Sequence, residues 1–144
     1  MTRTEKALAM FKNGSACSQA ILAAFGPGLG LGEALAHRLA TGLGAGLGRK
    51  QYVCGAISAG VLVLGLKYGN ERPEEGVIKE EAYTITREFI DALECELGSS
   101  SCRELLGAPI LTDEERKAAR ERGLFDTICP RCVEAVARRL EGLV

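Results

Sequence analysis

Tryptophan is absent from this sequence, histidine occurs once, at His37, and aromatic residues make up only 5% of the chain. The shortage of rings removes the stacking platforms on which single-stranded nucleic acids and sugars are held. The lone histidine leaves axial ligation of a haem poorly supplied. Charge of a single sign is missing too: 18 basic residues are interspersed with 19 acidic ones, so no basic patch marks a nucleic acid or an anionic membrane surface as partner. The central apolar stretch, residues 53–66, runs for 14 residues without a charge, short of the roughly 20 that span a bilayer. No membrane insertion is expected. The opening Met-Thr-Arg-Thr-Glu-Lys carries an acid and leads into an amphipathic pattern instead of a secretory apolar region, which points to a cytoplasmic protein.

What is present begins with that apolar stretch. Residues 52–68, with Cys54 in the first turn, read as a central helix buried on all sides in a soluble core. Gly55, Ala56, Ala59 and Gly60 shrink part of its surface, so a neighbouring backbone can come close beside the cysteine. Ahead of it, the spacing predicts a helix from Thr4 to Phe11, broken at Asn13-Gly14. A second helix is capped by Ser15, turns Ile21, Leu22 and Phe25 inward, and stops at Gly26-Pro27-Gly28. A third carries Leu31, Leu35 and Leu39 as its stripe and runs into the alternating glycines of residues 41–48, which predict a tight loop. That loop lacks the Gly-Lys-Ser/Thr ending and the preceding strand of a phosphate cradle.

Beyond the central helix, residues 69–76 form a connection inside one core. Ile78, Ala82, Ile85, Phe89 and Ala92 recur in steps of four and three, the seam of a packed helix over residues 77–97. Ser101 with Glu104, and Thr112 with Glu115, have capping-box spacing. Gly123 ends the charged helix that follows, whose Arg116, Lys117, Arg120, Glu121 and Arg122 read as a solvated face. The last helix opens at Cys129, with Pro130 in its first position and Val133, Val136 and Leu140 on one face. No stretch alternates like a strand. The expected fold is all-α, a single domain over residues 1–144 built as a bundle of about six to eight helices around the central one.

Six cysteines are many for a reducing compartment. Cys17, Cys54, Cys102 and Cys129 each fall at or near a predicted helix start, where unpaired amides and the helix dipole favour the thiolate that attacks disulfides and binds metals. Cys95 falls at a helix end, and Cys132 about one turn inside the last helix. Cys129-Pro-Arg-Cys132 has dithiol spacing without the βαβ setting of a thioredoxin-like motif. Cys129 is expected to be the nucleophile and Cys132 its resolving thiol; the plainer alternative is that Cys132 belongs to the apolar stripe beside Val136. Val133 follows Cys132 where a c-type haem site has histidine, so no such haem is expected. His37 has no ligand at useful spacing and reads as a solvated or packed side chain. Four thiolates on separate helices would also suit zinc or an iron-sulfur cluster assembled by the fold.

These residues carry a resemblance. Cys17 within Asn-Gly-Ser-Ala-Cys-Ser-Gln-Ala, Cys54 within Cys-Gly-Ala-Ile-Ser-Ala-Gly, Cys102 within Cys-Arg-Glu-Leu-Leu-Gly, and Cys129 ahead of the last helix resemble the C_GCAxxG_C_C family of small redox-active proteins over nearly the full chain. Where the family usually has glycine at the sixth position of the Cys-Gly-Ala segment, this chain has Ala59, with Gly60 one residue later. Cys95 and Cys132 look like additions to the four-cysteine pattern. The resemblance implies a redox or metal role and a link to a membrane transporter. A similar domain occurs in haem-binding split-Soret cytochromes, but their attachment motif is missing here.

The resulting expectation is a cysteine-based redox protein, a thiol oxidoreductase or an electron carrier with a Cys-ligated metal or iron-sulfur centre, working with a redox partner. Its alternatives are a structural or binding module held by Cys-ligated zinc or a cluster, and a plain helical interaction protein. In the leading case Cys54 is central, with its sulfur within disulfide or shared-metal reach of at least one of Cys17, Cys102 and Cys129.

Overall fold

Eight α-helices make up the chain in the computed structural model, which describes residues 1–144: α1 (Arg3–Lys12), α2 (Cys17–Phe25), α3 (Glu33–Ala40), α4 (Gly55–Tyr68), α5 (Gly76–Leu97), α6 (Cys102–Leu106), α7 (Asp113–Glu121) and α8 (Leu124–Glu141). Single 3-10 turns at Pro27–Leu29 and Thr41–Leu43 follow α2 and α3. The only extended pairing is one bridge between Val53 and Ser101. The fold is all-α, as the periodicities predict.

Apolar composition sets which helices lie deepest. In α2 every residue from Ala20 to Phe25 is buried, because α1, α3, α4 and α8 all pack on it. Helix α4 was expected to be covered on all sides, and here the structure differs. Gly55, Ala56, Ile57, Ala59, Gly60, Val63 and Leu64 are buried, whereas Leu62 and Leu66 remain 43% and 41% exposed. Helices α2, α5 and α8 cover α4, and nothing lies over the remaining strip. An apolar run marks a helix that can be enclosed; the number of neighbours decides how far it is.

Two predicted stripes also shift. In α3 the buried residues are Ala36 and Ala40, while Leu35 and Leu39 are about half exposed. Helix α3 meets α2 through its small residues, which permit a closer approach than leucines would. In α5 the buried residues are Phe89, Leu93 and Leu97, and Ile78 near its start is exposed. The long helix packs through its C-terminal half and projects its first turns beyond the bundle.

The helix starts follow the caps in part. Thr2, Ser101 and Thr112 accept from the amides of Glu5, Glu104 and Glu115, satisfying donors that the first turn leaves unpaired. Ser15 does not cap α2. Ala16 takes that position, Gln19 accepts from its amide at 2.9 Å, and the Ser15 hydroxyl pairs with His37 Nε2 at 2.9 Å. The last helix begins at Leu124 after the left-handed Gly123, so Cys129 and Pro130 are interior and not at its start. Proline there removes one backbone bond, and apolar packing of Val133, Val136 and Leu140 carries the helix through.

Gly60 shows how tightly α4 meets its neighbours, since a β-carbon there would lie 2.7 Å from Phe89 Cζ and 3.1 Å from Val136 Cγ1. A β-carbon on Gly65 would meet nothing within 4 Å. Gly60→Ala is therefore expected to lose about 1 kcal/mol, overpacking outweighing the gain in helix propensity. Gly65→Ala is expected to gain roughly 0.5–1 kcal/mol. Chemical denaturation of the two variants side by side checks the opposite signs.

Candidate functional site

Three of the cysteines come from helix starts. Cys17 is the first residue of α2, Cys54 is the N-cap of α4, and Cys102 is the first residue of α6. The other two come from inside α8, where Cys129 and Cys132 lie at i, i+3 spacing on one side of the helix. All five line one cavity of about 160 Å3, closed by apolar side chains that include Phe11 from α1, Leu105 from α6, and Phe125 and Ile128 from α8. Cys95 lies exposed on α5, away from this cavity.

Absence of a side chain at Gly55 allows the convergence. A β-carbon there would stand 2.8 Å from the carbonyl oxygen of Leu43 and 2.9 Å from Cys17 Sγ. Glycine thus seats the loop after α3 and the sulfur of α2 against the first turn of α4, the close approach that the small residues predict.

That loop has an uncommon shape. Ala45, Leu47, Arg49 and Gln51 all have positive φ, as do Gly46 and Gly48 between them. Such a left-handed path costs an L-residue roughly 1–2 kcal/mol. Glycine is obligatory at position 46, where a β-carbon would meet the amide nitrogen of Tyr52 at 2.5 Å. The amides of Gln51 and Tyr52 close back on the carbonyls of Ala45 and Gly46 at 3.1 and 3.0 Å. Buried Gln51 then ties the loop to the chain beyond α6: its Nε2 donates to the Ala108 carbonyl at 2.9 Å, and its Oε1 accepts from the Ile110 amide at 3.0 Å. Its side chain also hydrogen-bonds Cys102. Backbone bonds from Cys54 to Ser100 and from Cys102 to Tyr52 complete the junction.

The sulfurs do not share one environment. A side-chain hydrogen bond from Cys132, opposed by burial and aided by the amides of Ile57 and Ala56, lowers Cys54 from the usual 9.0 to about 7. Cys132 is pushed up, first by that bond to Cys54 and then by burial. Burial, reinforced by the charge of Cys54, raises Cys17 and Cys129 to about 12 and Cys102 to about 11. In Cys102 the bond from Gln51 works the other way. Cys54 is therefore the one cavity thiol drawn toward neutral titration, while the other four are pushed up.

Sequence reasoning placed four thiolates at four helix starts. Burial outweighs the helix terminus at Cys17 and Cys102, and Cys129 lies inside its helix. Cys129, expected as the nucleophile with Cys132 resolving it, lies inside α8 and is raised to about 12 by burial, while Cys132 is the first influence on Cys54. Gln51 was missed: its dihedral and its two buried partners arise only from folding, and a lone glutamine between Lys50 and Tyr52 carries no signal.

For a metal or cluster, five thiols supply the chemistry of a soft-ion donor set. Their arrangement does not supply the geometry, for no group of three or more Cys, His, Asp or Glu side chains is placed to hold one ion.

The uneven titration has two measurable outcomes. Alkylation of Cys54 by iodoacetamide, read by peptide mass spectrometry, should rise with pH to a midpoint near 7. In Cys132→Val the midpoint should move up toward 9, since the first cause of the lowering is gone. Stability should respond in the opposite sense for the raised thiols. Their protonated form gives stability that is full below the unfolded value of 9.0 and is lost as pH rises through 11 and 12. The Tm should therefore fall between pH 9 and 11. Cys54 works the other way, its share of stability fading as pH drops through 7.

No helix is long and apolar enough to cross a membrane. No curated protein and no solved structure matches the chain. A family match, described as "Putative redox-active protein (C_GCAxxG_C_C)", spans residues 15–143 and takes in all the cysteines of the cavity. The chain belongs to the C_GCAxxG_C_C family.

Proposed function

We propose that the protein is a thiol–disulfide oxidoreductase of the cytosol in which Cys54 is the attacking thiolate and Cys132 the thiol that resolves it. The observation that carries this reading is the meeting of both sulfurs on one cavity, with Cys54 at the N-cap of α4 and drawn toward neutral titration first by the Cys132 side chain and then by the amides of Ile57 and Ala56. An attacking thiol works best when its pKa lies near the ambient pH, because a lower value weakens the nucleophile and a higher one leaves too little of it ionised. Both sulfurs face one cavity, and oxidation would bring them to the about 2.05 Å of a covalent S–S bond. Cys17, Cys102 and Cys129, held protonated, wall the pair with neutral polarisable sulfur and add no competing anion.

The reading in which the cysteines hold zinc or an iron-sulfur cluster keeps one observation in its favour, five sulfurs on one cavity. It requires them to move together before three can share an ion. Iron or zinc in stoichiometric amount in anaerobically purified protein would favour it.

Diamide oxidation tests the main reading, since this azo compound takes two hydrogens from two thiols and leaves a disulfide. Digestion without reductant should yield one dominant cross-link, joining the peptides of Cys54 and Cys132. The bond should still form in Cys129→Ser and be lost in Cys132→Ser. A dominant Cys129–Cys132 bond, or none within the cavity, would overturn the assignment.

A further inference from the structure

We propose that the cavity beside Cys54 is a substrate pocket, and that its substrate is a small, uncharged disulfide with an apolar substituent. This rests on the assignment of Cys54 as attacking thiolate and adds what it attacks. The volume of about 160 Å3 is close to that of an engineered protein cavity of about 150 Å3 that binds benzene. The present one therefore has room for a single ring or a short alkyl chain. Thirteen of its fourteen lining residues are hydrophobic, and none is Asp, Glu, Lys, Arg or His. A carboxylate entering it would lose its hydration and face the Cys54 anion, and an ammonium group would find only that one anion, whose charge disperses as the new S–S bond forms, so each carries a penalty of several kcal/mol. Cys54 is buried, so the bond it attacks must come into this space. Charged low-molecular-weight disulfides are thereby disfavoured, and neutral ones are admitted.

The chemistry balances within the pocket. The Cys54 thiolate attacks one sulfur of R–S–S–R′, forming a mixed disulfide with R as the substrate S–S bond breaks and R′S⁻ departs. Cys132 loses its anionic partner at that moment and gives its proton to R′S⁻. Its sulfur then attacks Cys54 Sγ, forming the Cys54–Cys132 disulfide and releasing RS⁻. One substrate disulfide is reduced to two thiol species, and two protein sulfurs are oxidised to one disulfide.

Thiosulfonates of different charge test the pocket on the full chain carrying Cys95→Ser, a change at an exposed position outside the cavity. The neutral methyl reagent, the anionic 2-sulfonatoethyl reagent and the cationic 2-trimethylammonioethyl reagent are compared at Cys54 by peptide mapping, the labelled thiol and the Cys54–Cys132 disulfide that resolves it being counted together. Each rate is divided by that of the same reagent with the unfolded protein. The normalised rate for the methyl reagent should exceed both others by a factor on the order of 10 or more. Benzene at saturation should slow the methyl reagent at Cys54. Equal normalised rates, or no protection by benzene, would overturn the pocket while leaving Cys54 as nucleophile. Failure of all three reagents at Cys54, with another cavity cysteine labelled, would overturn the nucleophile assignment and the pocket with it.

Discussion

A missing β-carbon at position 55 is the constraint on which the site depends. The Leu43 carbonyl and Cys17 Sγ both occupy space that any other residue would fill. With that space available, α2 and the loop after α3 reach the first turn of α4. The sulfur of α2 then faces the same cavity as the sulfurs of α4, α6 and α8. Displacement of the loop would also draw on Gln51, which joins it to the chain beyond α6. One close backbone approach thus fixes elements that are distant in sequence.

Two opposing influences act on the gathered thiols. Helix termini stabilise a thiolate by a fraction of a kcal/mol to about 2 kcal/mol, while removal of a charge from water is the larger effect in an apolar cavity. Burial wins at Cys17, Cys102 and Cys129. Only at Cys54 do a thiol donor and two amides together exceed it. Once one sulfur is ionised, its charge raises the others. The result is one thiol drawn toward neutral titration among several pushed away from it.

Much of this was legible in the chain itself. Caps at Ser101 and Thr112, breaks at Gly26 and Gly123, and the absence of alternating strands gave the all-α bundle. The cysteine pattern marked the elements that meet. Periodicity could not say which side of α3 would be covered, because an alanine face and a leucine face share the same spacing, and the neighbour chose the smaller. Nor could spacing separate the proline of a first turn from one inside a helix, as at Pro130. Gln51 makes its contacts with residues more than fifty positions away, beyond any local pattern.

The left-handed loop reverses the usual rules of substitution. In an ordinary helical turn, glycine is among the worst replacements and a bulky aliphatic residue is tolerated. At Leu47 and Arg49, exposed and held at positive φ, a bulky residue is the strained choice and glycine or asparagine relieves it. These positions can therefore drift among small and polar residues without loss of the turn. Over many generations such drift would make a stretch of fixed three-dimensional shape look like a low-complexity linker, its order visible only in the handedness of the backbone.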